Sequence, residues 1–251
     1  MPDRDRDDHL VEVVRARGTA TVETLSLEIG LGPSTVRRDL RRLAGEGRLV
    51  RTYGGATLAD RPGGGPTLQA TRAMAEKQRV AGAAATLVQD GQTIAITSGS
   101  TAVELARRLV DRTDLTVITN SLDVAQTLLD SEGVQLVVLG GVVRPRMHSL
   151  LGHLTEQACR EMRADTLFMG IGAISLERGL MNDYMPEILT DRALRSMATS
   201  VVVMADSGKF ELVAPALVFG LDQVDVIVTD SGVRQEIVDD LAARHIRVIV
   251  A

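Results

Sequence analysis

Two groups of residues in this 251-residue chain have the types and spacing to do chemistry. The first is basic. Ser34, Thr35, Arg37, Arg38, Arg41 and Arg42 follow Pro33 within ten residues, and Arg48 and Arg51 come shortly after. An arginine fork can hold guanine O6 and N7 bidentately, which lysine cannot match. Residues 33–57 carry six Arg against Asp39 and Glu46, a local charge of +4 in a chain of net charge -5. A basic patch on an acidic body is the footprint of a protein that meets phosphate on one face.

The second group is small and hydroxylated. Ser98-Gly99-Ser100-Thr101, Thr119-Asn120-Ser121 and Gly140-Gly141 each follow an apolar run, as does Asp206-Ser207-Gly208-Lys209. Small residues let backbone N–H groups approach an anion, helix N-termini favour negative charge, and hydroxyls add donors. Several such loops at one sheet edge describe a pocket for a small phosphorylated, polyhydroxyl ligand. Lysine usage points the same way: against 26 Arg the chain keeps two Lys, Lys77 and Lys209. A compact ammonium suits a phosphate. No metal or other cofactor is implied. The four His are scattered, and the one cysteine, Cys159, permits no internal disulfide and fits a reducing compartment.

These residues need elements to hold them. Helices are expected over about Arg6–Arg17, ended by Gly18, and after Thr21, a helix N-cap. A third, about Pro33–Gly45, buries Val36, Leu40 and Leu43 at i, i+4, i+7 and turns the arginines outward. Its N-terminal end, with Ser34, Thr35 and Arg38, is best placed for base edges. Arg37, Arg41 and Arg42 are assigned to phosphate, or to pairing with Asp39 and Glu46. Leu49–Thr52 alternates as a strand into a turn at Tyr53-Gly54-Gly55, a wing whose Arg48 and Arg51 reach the DNA backbone. Residues 1–57 thus form a winged helix-turn-helix, and residues 58–73, rich in Gly and Pro, a flexible linker.

Residues 74–251 alternate helices with apolar strands, the pattern of a parallel α/β sheet. Strands are expected near 93–97, 116–118, 135–139, 166–171, 201–205, 226–229 and 247–250. Helices are expected near 74–89, 101–111, 121–131, 154–163, 187–199 and 233–243.

The run Ser34–Ala56 resembles the helix-turn-helix signature of the DeoR family of bacterial transcription regulators. The pattern T-[IV]-R-R-D-L, L-x-x-x-G and R-x-[HY]-G-G-A is met at Thr35–Leu40, Leu43, Gly47, Arg51 and Tyr53–Ala56. That resemblance adds Tyr53 to the DNA-binding set. Gly32 stands where the family usually has a Ser cap. Residues 74–230 are similar to the family's sensor domain, at Ser98–Thr101, Thr119–Ser121, Gly140-Gly141 with Arg144, Asp165, Asp206–Phe210 and Thr229-Asp230. The resemblance implies a ribose-5-phosphate-isomerase-like fold that senses phosphorylated sugars, and it adds Arg144 to the effector-binding set. Thr97 replaces a usual Asp, and Asp191 stands where Lys is frequent.

The resulting expectation is a DNA-binding regulator of a carbohydrate operon, a repressor by family habit. Its partners would be an operator duplex, a phosphorylated-sugar effector and further copies of itself, as homodimer or homotetramer. An isomerase is the rival reading. Catalysis needs a positioned base, and the isomerase's D-G-A-D motif falls where this chain reads Met169-Gly170-Ile171-Gly172. The catalytic set is therefore empty, with Asp183 and Asp206 the nearest substitutes. An interaction scaffold would show no salt-sensitive DNA binding. MPDRDRDDHL is not a signal peptide, no apolar run reaches membrane length, and a cytoplasmic location is expected.

Overall fold

The computed structural model describes residues 3–17, 19–45, 48–52, 55–58 and 68–251. The chain divides into two compact units, residues 1–66 and 67–251. Gly18, Glu46, Gly47, Tyr53 and Gly54 lie outside the described residues, and so do 59–67 of the expected linker.

The first unit runs α1 (Asp3–Arg17), β1 (Thr19–Thr21), α2 (Val22–Ile29), α3 (Pro33–Gly45), β2 (Leu49–Thr52) and β3 (Gly55–Leu58). Thr21 caps α2 by accepting the Thr24 N–H at 3.2 Å. Gly30 ends that helix at φ 70°, in the left-handed region that glycine enters without strain. Gly32 opens α3, its carbonyl accepting the Thr35 and Val36 N–H groups. Leu10, Val14, Leu25, Val36, Leu40, Leu43 and Leu49 are buried together. Each contributes about 1.5–3 kcal/mol of apolar burial, a large sum for so small a unit. One strand was not anticipated. β1 pairs antiparallel with β3, which also pairs with β2, giving a three-stranded wing sheet. A three-residue strand beside a helix cap leaves no alternation to read.

The second unit runs α4 (Leu68–Ala85), β4 (Thr93–Ile96), α5 (Ser100–Arg107), β5 (Leu115–Thr119), α6 (Leu122–Leu128), β6 (Val134–Val138), β7 (Val142–Arg144), β8 (Ser149–Leu151), α7 (His153–Glu161), β9 (Ala164–Gly170), β10 (Ala173–Ser175), β11 (Gly179–Asn182), α8 (Ile188–Met197), β12 (Ala198–Met204), β13 (Ala216–Phe219), β14 (Val226–Thr229), α9 (Gln235–Ala243) and β15 (Arg247–Val250). α4 starts six residues before the expected end of the linker. Residues 68–73 include Leu, Gln, Ala and Arg, which favour helix, but lack the apolar period that would have shown it. β3 likewise runs one residue past the expected end of the winged helix.

All seven expected strands form one sheet in the order β15-β14-β12-β9-β4-β5-β6, every pair parallel. Both its faces are buried, as parallel sheets require. Ile94, Ile96, Phe168, Val202 and Met204 point to one face, against Val80 and Ala84 of α4, Leu105 of α5 and Leu128 of α6. Ala95, Leu167, Met169, Val201 and Val203 point to the other, against Cys159 of α7, Leu194 of α8 and Leu241 of α9. The sequence reading missed the hairpin β7-β8 and the antiparallel sheet β10-β11-β13. Their strands are three or four residues long and interrupted by turns.

The strand order reverses at β4. The chain runs outward through β5 and β6, then returns to place β9 on the other side of β4. A crevice therefore opens between the carboxyl ends of β4 and β9. Beyond β12, the turn Asp206–Lys209 is held by buried Asp230, which accepts the Ser207 N–H at 2.7 Å, the Ser207 hydroxyl at 3.0 Å and the Gly232 N–H at 2.8 Å. Burial raises the Asp230 pKa, but these hydrogen bonds outweigh it and hold the carboxyl below its ordinary 3.8. A depressed carboxylate pKa stabilises the fold above the unfolded value, and that contribution fades as pH falls through the folded one. Asp230→Asn is therefore expected to destabilise the second unit at pH 7 by about 2 kcal/mol, a Tm loss of roughly 4–8 °C. Calorimetry from pH 7 to pH 3 should show that gap closing toward the acid end.

Candidate functional site

The arginine face is built by α3. Val36, Leu40 and Leu43 anchor it to the core, leaving Ser34, Arg37, Arg38, Arg41 and Arg42 exposed and Thr35 half-buried. Asp39 points inward, where Arg6 of α1 meets it at 2.9 Å. It comes no nearer than 4.0 Å to Arg38. Arg42 pairs at 2.5 Å with Asp7, itself buried, and Arg48 at 2.5 Å with Asp8. The expected pairing of outward arginines with Asp39 is thus replaced by ion pairs back to α1. Arg37 and Arg41 have no ion-pair partner among the described residues. Arg51 lies on β2, and Tyr53 is outside the described residues.

The second unit holds a cavity of about 470 Å³ at the β4/β9 crevice. Its floor is the loop Thr97–Thr101. Gly99 has φ 121°, which a side chain would strain, and no side chain caps the α5 N-terminus it begins. The first-turn N–H groups of α5, with the Ser100 and Thr101 hydroxyls, are therefore available to an anion. Lys77 from α4 and Lys209 from the turn after β12 border the same space. Buried Thr97 accepts the Gly170 N–H at 3.2 Å and so ties the end of β4 to the end of β9.

Of the expected effector contacts, Lys77, Ser98, Gly99, Ser100, Thr101, Arg144, Asp206 and Lys209 all border the cavity. Thr119, Asn120, Ser121, Gly140 and Gly141 do not, because β5 and β6 lie on the far side of the reversal. Their polar groups serve the fold. Thr119 donates to the Ile96 carbonyl at 2.7 Å, and Asn120 to the Leu150 carbonyl at 3.1 Å. Ser121 caps α6, and the Gly140 carbonyl accepts from Thr155. A Cβ on Gly141 would lie 2.4 Å from the Thr155 hydroxyl oxygen. These contacts seat the β7-β8 hairpin, which delivers Arg144.

The opposite wall is acidic. Arg144 pairs with Glu187 at 2.5 Å, approaches Asp183 at 3.9 Å and stacks on Tyr184 with 4.0 Å to the ring centroid. Buried Asp191 accepts from the Asn182 amide at 3.2 Å. Burial pushes the Asp191 carboxyl up to about 8, with Glu187 repelling the charge further, while Asn182 and Arg144 pull the other way. Burial also raises Glu187 despite Arg144. Asn182 and Arg146 border the cavity and were not anticipated. Asn182 sits on one of the short strands that escaped notice, and Arg146 in the β7-β8 turn.

Comparison with known proteins bears on both units. The DeoR-like helix-turn-helix domain matches residues 6–61, and the DeoR C terminal sensor domain matches residues 72–231. The transcriptional repressor AccR of Agrobacterium fabrum is 34% identical over 92% of this chain and 91% of its own. The glycerol-3-phosphate regulon repressor of Escherichia coli K12 is 29% identical over 98% of both chains. Among solved structures, ribose 5-phosphate isomerase from Plasmodium falciparum is 19% identical, with 55% of this chain and 53% of that chain covered at a TM-score of 0.41. With its helix-turn-helix domain and its sensor domain both matched, the chain belongs to the DeoR family of transcriptional regulators.

Proposed function

We propose that this protein represses a carbohydrate-metabolism operon and that a phosphorylated sugar, bound in the β4/β9 cavity, changes its hold on the operator. The observation that carries this reading is the uncapped α5 N-terminus behind Gly99, with Lys77 and Lys209 beside it in one cavity. Backbone dipoles, hydroxyls and two point charges converge there on a volume suited to a small phosphate ester. The relative named for the glycerol-3-phosphate regulon supports a phosphorylated effector by analogy.

On the DNA side, Ser34, Thr35 and Arg38 read base edges while Arg37 and Arg41 contact phosphates. Arg42 and Arg48, each paired with α1, steady the recognition helix more than they reach outward. Two or four copies acting together would multiply the limited specificity of one winged helix. The coupling between effector and operator need be only about 1–3 kcal/mol to change affinity up to roughly 150-fold. The cytoplasm is where such a protein meets both partners.

Catalysis is not part of this proposal. The segment Met169–Gly172, aligned with the isomerase's carboxylates, brings no acid or base to the cavity. Asp206 and Asp183 do border it, but Asp183 leans toward Arg144 and Asp206 opens the turn that carries Lys209.

Two measurements test the reading. In fluorescence anisotropy with genomic fragments selected by the protein, Arg38→Ala should cost about 1–3 kcal/mol and relax preference at one base position. Arg41→Ala should weaken all sequences alike and lower the salt slope by about 1. Unchanged binding by both variants would sink the DNA assignment. In calorimetric titration with hexose 6-phosphates, Lys209→Ala should weaken the tightest ester by about 10- to 100-fold. An unchanged Kd would remove Lys209 from the phosphate site.

A further inference from the structure

The cavity is electrostatically two-ended. The phosphate end has Lys77, Lys209 and the α5 N-terminus, and the far wall has Glu187, Asp183 and Asp191 beside Arg144, with Arg146 of the β7-β8 turn also bordering the cavity but forming no ion pair with Asp191. That guanidinium is already committed. It pairs with Glu187 at 2.5 Å, lies 3.9 Å from Asp183, stacks on Tyr184, and its side chain is only 13% exposed. Asp191 is left with a neutral partner. It is 5% exposed, borders the cavity, and accepts one hydrogen bond, from the Asn182 amide at 3.2 Å. Among the described residues no cation stands within ion-pair distance of it.

A buried carboxyl without a cation must either keep its proton or await a positive charge. We infer that Asp191 receives a protonated amine on the ligand, so that the effector is an amino-sugar phosphate rather than an ester carrying hydroxyls alone. This rests on the proposed reading of the cavity as a phosphate-ester site. An ammonium donates to Asp191 and supplies the charge the protein withholds, whereas a hydroxyl supplies a dipole only. Charge-assisted hydrogen bonds are roughly twice as strong as neutral ones, and the difference is about tenfold in affinity. The raised pKa of Asp191 agrees: before the ligand arrives, the carboxyl is held largely neutral. Glu187 cannot play the same part, because Arg144 already satisfies it.

The test is calorimetric titration of the full-length protein with three matched esters: glucosamine 6-phosphate, glucose 6-phosphate and N-acetylglucosamine 6-phosphate. The galactose-configured trio and inorganic phosphate are titrated alongside. The expected result is that one free-amine ester binds at least tenfold more tightly than its hydroxyl and N-acetyl counterparts. Asp191→Asn, which keeps the shape, and Asp191→Lys, which reverses the charge, should each bring that ratio to within about threefold. Equal affinities in the wild-type protein, or a preference that survives both variants, would overturn the amine assignment. Tight binding of a hydroxyl or N-acetyl ester would do so while leaving the phosphate-ester pocket standing. If neither esters nor inorganic phosphate bind, the pocket reading falls with it. The wild-type series decides the matter even if a variant fails to fold.

Discussion

Everything in the second unit follows from the burial of a parallel sheet on both faces. Seven strands with helices on each side leave no face free for a ligand. Chemistry is confined to the strand ends, and the cavity lies at the ends flanking the reversal at β4. The position of the cavity is therefore a consequence of strand order. The Thr97 hydroxyl closes the base of that crevice by bonding the Gly170 N–H. An aspartate at this position would bring a carboxylate to the same donor. Threonine does the structural job without a charge, which makes the cavity floor less acidic and suits an anionic ligand.

The same constraint explains how much of this was legible beforehand. Strands buried on two sides read as continuous apolar runs, so all seven were visible in the sequence together with their order along the chain. Strand order across the sheet was not visible. The loops after β4, β5 and β6 look alike as residue strings, small and hydroxylated, and all were read as ligand contacts. Only topology separates them: Ser98–Thr101 lies at the reversal, while Thr119–Ser121 and Gly140-Gly141 lie beyond it and spend their polar groups on backbone carbonyls and a helix cap. The acidic wall was hidden for a second reason. Asn182 and Arg144 come from strands of three or four residues, too short for periodicity, and no local pattern brings them to Asp191 and Glu187. In the sequence, Asp191 stands out only against the pattern that the family resemblance implies. Its significance needed the cavity.

In the first unit the buried aspartates organise the recognition helix. Asp39 lies beside Arg38 on α3 and would have been a natural partner for the outward arginines. It turns inward to Arg6 instead, while Arg42 and Arg48 are drawn back to Asp7 and Asp8 on α1. Half-buried ion pairs of this kind add little net stability, since desolvation offsets much of the attraction. Their geometric effect is larger. They fix the rotation of α3 about its axis, and so decide which arginines face outward. The arginines of this stretch thus divide: Arg42 and Arg48 are tied back to α1, while Arg37, Arg38 and Arg41 stay exposed on α3.

The carboxylates on the cavity wall raise the opposite question, since the one hydrogen bond Asp191 accepts, from the Asn182 amide, does not offset the burial of its carboxyl. Held near-neutral by burial, it destabilises the folded state as pH rises between about 4 and 8, because the unfolded chain ionises there and the folded one does not. A leucine or asparagine at the same place would carry no such penalty. Groups that cost stability without structural return are characteristic of functional sites, where the rest of the fold compensates. Here the compensation is close at hand: Ile188 and Leu194 bury the other face of α8 in the larger of the two cores, and Thr190 on the same helix binds the Gly152 N–H at 3.1 Å. A helix so well anchored can tolerate one unpaired carboxyl facing the cavity. A ligand that supplies the missing charge then recovers in binding part of what the empty protein gives up in folding.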